Sequence, residues 1–357
     1  MNKKRLLYLN LSIDNKDVSL GFTSTWLEQF SQNYEKVDLI TLNKGGNKAK
    51  IFNNVNIYGI SEYENLSKLK KITKIIKIIR NLTSENNYVL CFSHMSPLLS
   101  ILVKIFCVKN IPLLILWYSH PGPKEVSKKF ILLLSLFLNN YIVTASKFTF
   151  PYKSRKVLPI GTAINYKRFF NKKSKISNYE FLILGRISKS KNLEFILDNF
   201  LKSKFQKKNI TLIGEPVTKA DYKFQNYLIN KYSEYKNVIF NGKVPHNELP
   251  NVLQNYSFHI NGSLKGSMDK TVLETLSSGL FNIYTNDDYD QFFDSNSSRF
   301  TNFYIENQSL KQLLDDVSKL EEKEIMKIVE LGQINVQKFS VETIHNRIIS
   351  TVENQST

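Results

Sequence analysis

Two stretches of this chain carry residue types suited to holding a diphosphate. The first is Gly185-Arg-Ile-Ser-Lys-Ser-Lys191. It follows the apolar run 181–184 and opens a segment where Leu193, Ile196, Leu197, Phe200 and Leu201 recur at helical spacing. A helix start disfavours a cation, so Lys191 there, five residues after Arg186, asks for an anionic partner. Two cations converging on free backbone N–H groups make a diphosphate site, and Gly185 lets the backbone approach the ligand. The alternative is a solvated loop in a lysine-rich protein.

The second stretch runs from Asn261 through Gly262, Ser263, Gly266, Ser267, Asp269, Lys270 and Glu274 to Gly279. Asp269 can cap a helix that stops before Gly279, with Val272, Leu273 and Leu276 as its buried face. Lys270 and Glu274, four apart, are expected on the other face. A carboxylate there can accept both hydroxyls of a ribose, while the Gly266-Ser267 loop holds phosphate. A surface Lys–Glu pair would contribute only about 0.2–0.5 kcal/mol, and lysine before glutamate is the poorer order. His120 lies in the turn-rich Trp117-Tyr-Ser-His-Pro-Gly-Pro123 and reads as a site histidine over a surface one. His94 is a weaker candidate, and no role falls to His246, His259 or His345. Asp287-Asp-Tyr-Asp290 could take a divalent metal, but a polar loop capping a helix is the preferred reading. No hydrolase elbow, phosphate-binding Walker loop or zinc spacing occurs.

The elements that must position these residues alternate. Apolar runs at 5–11, 37–42, 88–93, 112–117 and 140–144 read as strands, separated by helical stretches such as 24–33 and 66–82. The pattern restarts at 181–184, 209–213, 237–240, 257–260 and 280–284, and several of these runs end at or near a glycine: Gly185, Gly214, Gly242 and Gly262. Such alternation predicts βαβ units and parallel sheets, whose ligands sit beyond the strands' carboxyl ends. A polar stretch between residues 159 and 175 reads as a linker. The expected division is therefore 1–163, 173–337 and a terminal helix in 338–357, two similar α/β domains facing each other across a cleft.

Length and composition agree with two globular domains. The chain has 357 residues, 42% hydrophobic and 22% charged, which excludes extensive disorder. Cys91 and Cys107 cannot staple it and suit a reducing compartment. The formal charge is 49 − 31 = +18. We read it mainly as a diffuse lysine surface, with attraction to an anionic membrane or acidic substrate second; no nucleic-acid motif accompanies it. The greasiest run, 130–138, is too short to span a bilayer and is expected to be a buried helix. The basic amphipathic stretch 66–82 reads either as a membrane-surface helix or, preferably, as an ordinary outer helix with a solvated lysine face.

Taken together, Gly-Arg with a lysine five residues on, then a Gly/Ser loop, Asp269-Lys270, Leu273-Glu274 and Ser278-Gly279, resemble the carboxyl-terminal domain of group-1 glycosyltransferases. Ile213-Gly214 and 241–244 fall in the same order, and 158–164 resembles the family's linker entry; the amino half is more weakly similar. The resemblance implies the GT-B fold, two Rossmann-like domains, and a retaining transfer from a nucleotide sugar without a metal. It implies that Arg186 and Lys191 neutralise the donor diphosphate and that Glu274 binds its ribose. Gly21, Gly185, Gly214, Gly266, Ser267, Asp269 and Lys270 would line the donor site, with His120 near the transferred sugar. The acceptor would be a glycan or lipid-linked molecule of the cell envelope, and the protein cytoplasmic or peripheral on the membrane. One departure stands out. The family often has a glutamate eight positions before Glu274, where this chain has Gly266. A non-catalytic nucleotide-sugar or glycan-binding protein and a sugar-nucleotide epimerase therefore stay open as alternatives.

Overall fold

The computed structural model describes residues 4–14, 23–44, 52–61, 66–173, 175–176, 179–264, 266, 268–289, 292–293 and 309–356. Gly21 and Ser267 lie outside them. The chain divides into two compact units, Met1–Gly161 with Val341–Thr357, and Thr162–Ser340.

The amino unit is built on a parallel sheet of β1 (Arg5–Ser12), β2 (Lys36–Asn43), β3 (Val55–Gly59), β4 (Leu90–His94), β5 (Leu114–Trp117), β6 (Tyr141–Thr144) and β7 (Val157–Pro159). Their order is β3-β2-β1-β4-β5-β6-β7, so the direction of winding reverses between β1 and β4, where Leu6 pairs with Leu90. The helices are α1 (Thr23–Asn33), α2 (Lys68–Glu85), α3 (Pro97–Phe106) and α4 (Val126–Leu138). β3 and β7 are the two edge strands, and the sequence pattern marked neither. Edge strands need no continuous apolar run, because only part of their surface is covered.

The carboxyl unit repeats the plan with five parallel strands. They are β8 (Phe181–Leu184), β9 (Ile210–Ile213), β10 (Val238–Gly242), β11 (Phe258–Asn261) and β12 (Phe281–Tyr284), in the order β10-β9-β8-β11-β12. Its helices are α5 (Tyr166–Phe169), α6 (Leu193–Phe200), α7 (Lys219–Lys231), α8 (Leu249–Leu253), α9 (Lys270–Ser277), α10 (Ser309–Val317) and α11 (Glu322–Gln337). All four residues of β8 are buried because both sheet faces are covered. Successive side chains alternate faces. Phe181 and Ile183 pack with Ile196, Leu197 and Phe200 of α6 and with Leu314 and Val329. Leu182 and Leu184 pack with Phe169, Leu249, Leu253 and Leu280 on the other side. Winding reverses between β8 and β11, where Phe181 pairs with Phe258.

The chain then returns to the amino unit as α12 (Ile344–Ser356). His345 Nε2 lies 3.1 Å from the Tyr34 hydroxyl at the end of α1, and Arg347 donates to the Ile160 carbonyl at 2.6 Å.

Two helices bear on the sequence expectations. α2 turns Ile75, Ile79 and Leu82 into the core and leaves Lys68, Lys70, Lys77 and Arg80 exposed among other polar residues, the ordinary outer helix. The helix over 130–138 is not buried. In α4 only Leu132 and Ser135 are buried, and Val126, Phe130, Leu133 and Phe137 are exposed. One side of this helix is covered: Leu132 packs with Leu116, Ile142 and Phe150, and Asn139 Nδ2 donates to Ser100 Oγ of α3 at 3.1 Å. Burying its whole circumference would need a second layer that the fold does not supply.

Candidate functional site

In the carboxyl unit the candidate residues gather at the carboxyl ends of β8 and β11, on either side of the winding reversal. Open parallel sheets leave a crevice at that point.

The β8 loop is fixed by backbone crowding. Gly214 has φ +154°, and a Cβ there would stand 1.8 Å from the Gly185 carbonyl oxygen. Only glycine lets the loop after β9 pass beneath Gly185, whose own N–H donates to the Ile213 carbonyl at 2.9 Å. A 3-10 turn, Lys189–Lys191, follows, and Asn192 in the left-handed region (φ 51°) starts α6. Asn192 Nδ2 donates to the Gly262 carbonyl at 2.6 Å. At Gly262 a Cβ would lie 2.6 Å from the Lys191 carbonyl oxygen, so the two loops meet backbone to backbone.

This contact brings Lys191 onto the second motif. Its ammonium donates to Ser263 Oγ at 2.8 Å and to Asp269 Oδ2, in a mostly buried ion pair. Asp269 Oδ2 also accepts from Asn261 Nδ2 at 3.1 Å and from Ser263 Oγ at 3.0 Å. Its Oδ1 accepts from the Thr271 N–H at 3.2 Å and so caps α9, as the sequence reading expected. Burial alone would raise the Asp269 pKa. The Lys191 charge and the donors Lys191, Asn261 and Thr271 outweigh it and hold the carboxyl well below the usual range. Lys191 therefore has a protein carboxylate as partner, which the sequence reading did not name.

Gly185, Arg186, Lys191, Asn261 and Gly262 line one small cavity with Ile183, Leu184, Leu193 and Ile260. Arg186 is exposed at this cavity. Lys270, the first residue of α9, is partly buried, and desolvation lowers its pKa to about 8 against the opposing pull of Glu274. One turn on, Glu274 is buried, and its Oε1 lies 3.0 Å from His246 Nε2. His246 is exposed, with its ring 5.4 Å from that of Phe169. The sequence reading gave this histidine no role. Its one signal, position after the β10 glycine in 242–246, was too weak without the fold.

Gly266 keeps a loop geometry at φ +87°, and its N–H donates to Asp288 Oδ2 at 2.9 Å. Asp288 in turn takes the place the sequence reading weighed for a metal ligand. Its own N–H donates to Asn286 Oδ1, and Asn286 Nδ2 donates to the Leu264 carbonyl. Among the described residues no cluster of three or more His, Cys, Asp or Glu is placed to hold a metal.

The amino unit carries the other candidate. His120 follows β5 by three residues, is exposed, and sets its ring edge-on to Tyr118 at 6.1 Å. Partial desolvation by the surrounding chain lowers its pKa. His94, at the end of β4, is instead a core residue, 5.0 Å from the Trp26 ring and stacked on Trp117 at 6.3 Å.

Two parallel-sheet units of this topology, with a built loop cluster at the reversal of the second, define a GT-B fold. Solved structures agree. The chain superposes on HepE from Anabaena in complex with UDP at a TM-score of 0.73, with 13% identity, over 98% of this chain and 100% of that one. It superposes on a glycosyltransferase from Rickettsia africae at 0.73, with 14% identity, over the whole of both chains. A lipopolysaccharide outer core galactosyltransferase, WaaB, gives 0.67 at 12% identity, over 97% of this chain and 99% of that one. No protein of curated function matches the chain by sequence. Residues 166–333 match the family model of glycosyl transferases group 1. The carboxyl unit belongs to that family. Among the described residues no helix is long and apolar enough to cross a membrane.

Proposed function

We propose that this protein transfers a sugar from a nucleotide-sugar donor to a hydroxyl of a glycan or lipid-linked acceptor, with retention at the anomeric carbon, in cell-envelope polysaccharide synthesis. The observation that carries the reading is the Lys191–Asp269–Ser263 cluster, held at one cavity with Arg186 and followed by Glu274.

Lys191 has three N–H donors, and Ser263 and Asp269 use two. The third is left for a phosphate oxygen. Its charge is cancelled locally by Asp269, so the surplus positive charge facing a diphosphate comes from Arg186 and Lys270. Their task is to stabilise the charge that grows on the diphosphate as the bond to the anomeric carbon breaks. The acceptor oxygen bonds to that carbon on the face the diphosphate leaves, and the hydroxyl proton passes to a phosphate oxygen. No metal is needed where cations already do this. Glu274 accepts from the ribose hydroxyls in place of His246. Gly185 and Gly214 let the backbone approach the phosphates, and Gly266, Ser267 and Gly21 complete the donor site. His120 serves near the transferred sugar. HepE, bound to UDP, supports a uridine nucleotide as the first donor to try.

Gly266 favours a second reading. It offers no carboxylate to the sugar, and its N–H is taken by Asp288. A nucleotide-sugar-binding protein without turnover would fit that. The test is calorimetric binding of UDP, GDP, ADP, CDP and dTDP with their sugar conjugates, followed by transfer to acceptors. One nucleotide should bind selectively, and Arg186→Ala should weaken it by about 10–150-fold, the equivalent of one charged hydrogen bond. Equal affinity in Arg186→Ala would remove Arg186 from the site. Selective binding with no transfer to any acceptor would favour the second reading.

A further inference from the structure

Among the described residues, the exposed face of α4 is a surface feature that the donor site leaves unexplained. Val126, Phe130, Leu133 and Phe137 recur at four, three and four residues and so form a single stripe. They are 81%, 65%, 37% and 70% exposed. The buried residues Leu132 and Ser135 lie on the opposite side of the same helix. Isolated exposed apolar residues need no explanation, but a continuous stripe with two phenylalanines does.

The charge around the stripe identifies its partner. Between Glu85 and Glu180 the sequence has one acidic residue, Glu125, and that one is paired with Lys128 at 2.8 Å. Lys124 and Lys129 flank the start of α4 and are exposed. The segment after β6 runs beside the helix: the Tyr152 hydroxyl donates to the Lys129 carbonyl at 3.3 Å. Lys156 Nζ caps the far end, donating to the carbonyls of Phe137 at 3.1 Å and Asn139 at 3.0 Å. Between these two anchors stand the exposed Lys153 and Arg155. An apolar stripe framed by cations suits a surface that is apolar within and anionic at its edge. A protein partner would have to match both along the whole helix.

We propose that the outward face of α4 docks on an anionic lipid bilayer, with Phe130 and Phe137 entering the acyl boundary and the flanking lysines and Arg155 meeting headgroups. The amphipathic helix α2, which the sequence offered as a second reading, is not the docking element: Ile75 and Ile79 are in the core, Ile72, Ile76 and Ile78 pack partly buried against it, and of its apolar side chains only Leu69 stands clear. Each buried ring contributes partition energy in proportion to area, and each nearby cation adds to the attraction for anionic headgroups. The inference is independent of the donor-site reading, because membrane binding requires no nucleotide.

The experiment is flotation of the full chain with phosphatidylcholine vesicles, with and without about 30% phosphatidylglycerol, at about 0.1 and 0.5 M salt. The protein should float with the anionic vesicles and be partly released by salt. Phe130→Ser with Phe137→Ser should lower the partition constant by roughly tenfold per ring, with an unchanged thermal midpoint because both rings are already in water. Leu69→Ser should float like the wild type. Equal recovery on neutral and anionic vesicles would overturn the proposal, as would flotation of the double variant at wild-type level. So would a wild-type dimer that the double variant disperses without any vesicle binding, since the stripe would then be covered by a second copy.

Discussion

Replacing Lys191 by methionine tests the buried ion pair at the centre of the candidate site. The change keeps length and apolar stem but strands the Asp269 carboxylate, which is mostly buried. Removing one partner of a buried pair costs about 3–5 kcal/mol. Ser263, Asn261 and the Thr271 N–H still bond the carboxylate, so we expect the lower end, about 3 kcal/mol. For a unit of this size that lowers the midpoint by roughly 6–12 °C. Combining Lys191→Met with Asp269→Asn removes both charges and keeps an acceptor for the α9 cap. It should return the carboxyl unit to within about 1 kcal/mol of wild type, yet not restore transfer. The assay separates the units, because both tryptophans, Trp26 and Trp117, lie in the amino unit. Far-ultraviolet circular dichroism follows both units, and tryptophan fluorescence follows the amino unit alone. The first transition should move and the second should not. The pH dependence has a definite sign. The Asp269 pKa is held below its unfolded value of about 3.9, so the pair's contribution is complete above about pH 5. It is lost as acid carries the pH down toward the folded-state value. A Lys191→Met transition within about 0.5 kcal/mol of wild type, or a double variant as unstable as the single one, would refute this reasoning.

Two further outcomes follow from other residues. Gly214→Ala places a Cβ 1.8 Å from the Gly185 carbonyl oxygen at a φ of +154°. It should destabilise the carboxyl unit by about 3 kcal/mol or more and weaken nucleotide binding through the displaced β8 loop; a binding isotherm and melt like the wild type would contradict the crossing. His259 is fully buried against Asn282 Oδ1 at 2.7 Å, and desolvation lowers its pKa to about 4. The unfolded chain takes up this proton near pH 6.5. The stability it supports is therefore complete above that value and falls as pH drops toward 4, by about 3 kcal/mol. Urea unfolding at pH 7 and 4.5 should show the loss, and His259→Leu should flatten the slope; an unchanged slope would remove His259 as its source.

Much of this protein is legible in its sequence because the determinants are local. Alternating apolar runs and helical spacings mark βαβ units wherever a strand is covered on both faces, as in β8, and Asp269 and Gly279 mark the ends of α9 by cap chemistry alone. The order Gly185, Arg186, Lys191, Asp269, Lys270, Glu274 identifies the family without coordinates. Periodicity could not reveal the edge strands β3 and β7, whose pairing depends on a neighbour distant in sequence. Nor could it tell that the greasiest helix stands half in solvent, since an all-round apolar pattern is the same whether one face or both are covered. The partners of the site residues were equally hidden. Lys191 meets Asp269 across 78 residues, His246 meets Glu274 across 28, and Asp288 reaches Gly266 across 22. The sequence by itself determined which elements form and which chemical groups the carboxyl unit presents. Only the tertiary structure decided which charges cancel, which face of α4 is left uncovered and which histidine stands beside the candidate ribose-binding carboxylate, because each depends on segments far apart in sequence that the fold of their unit brings together.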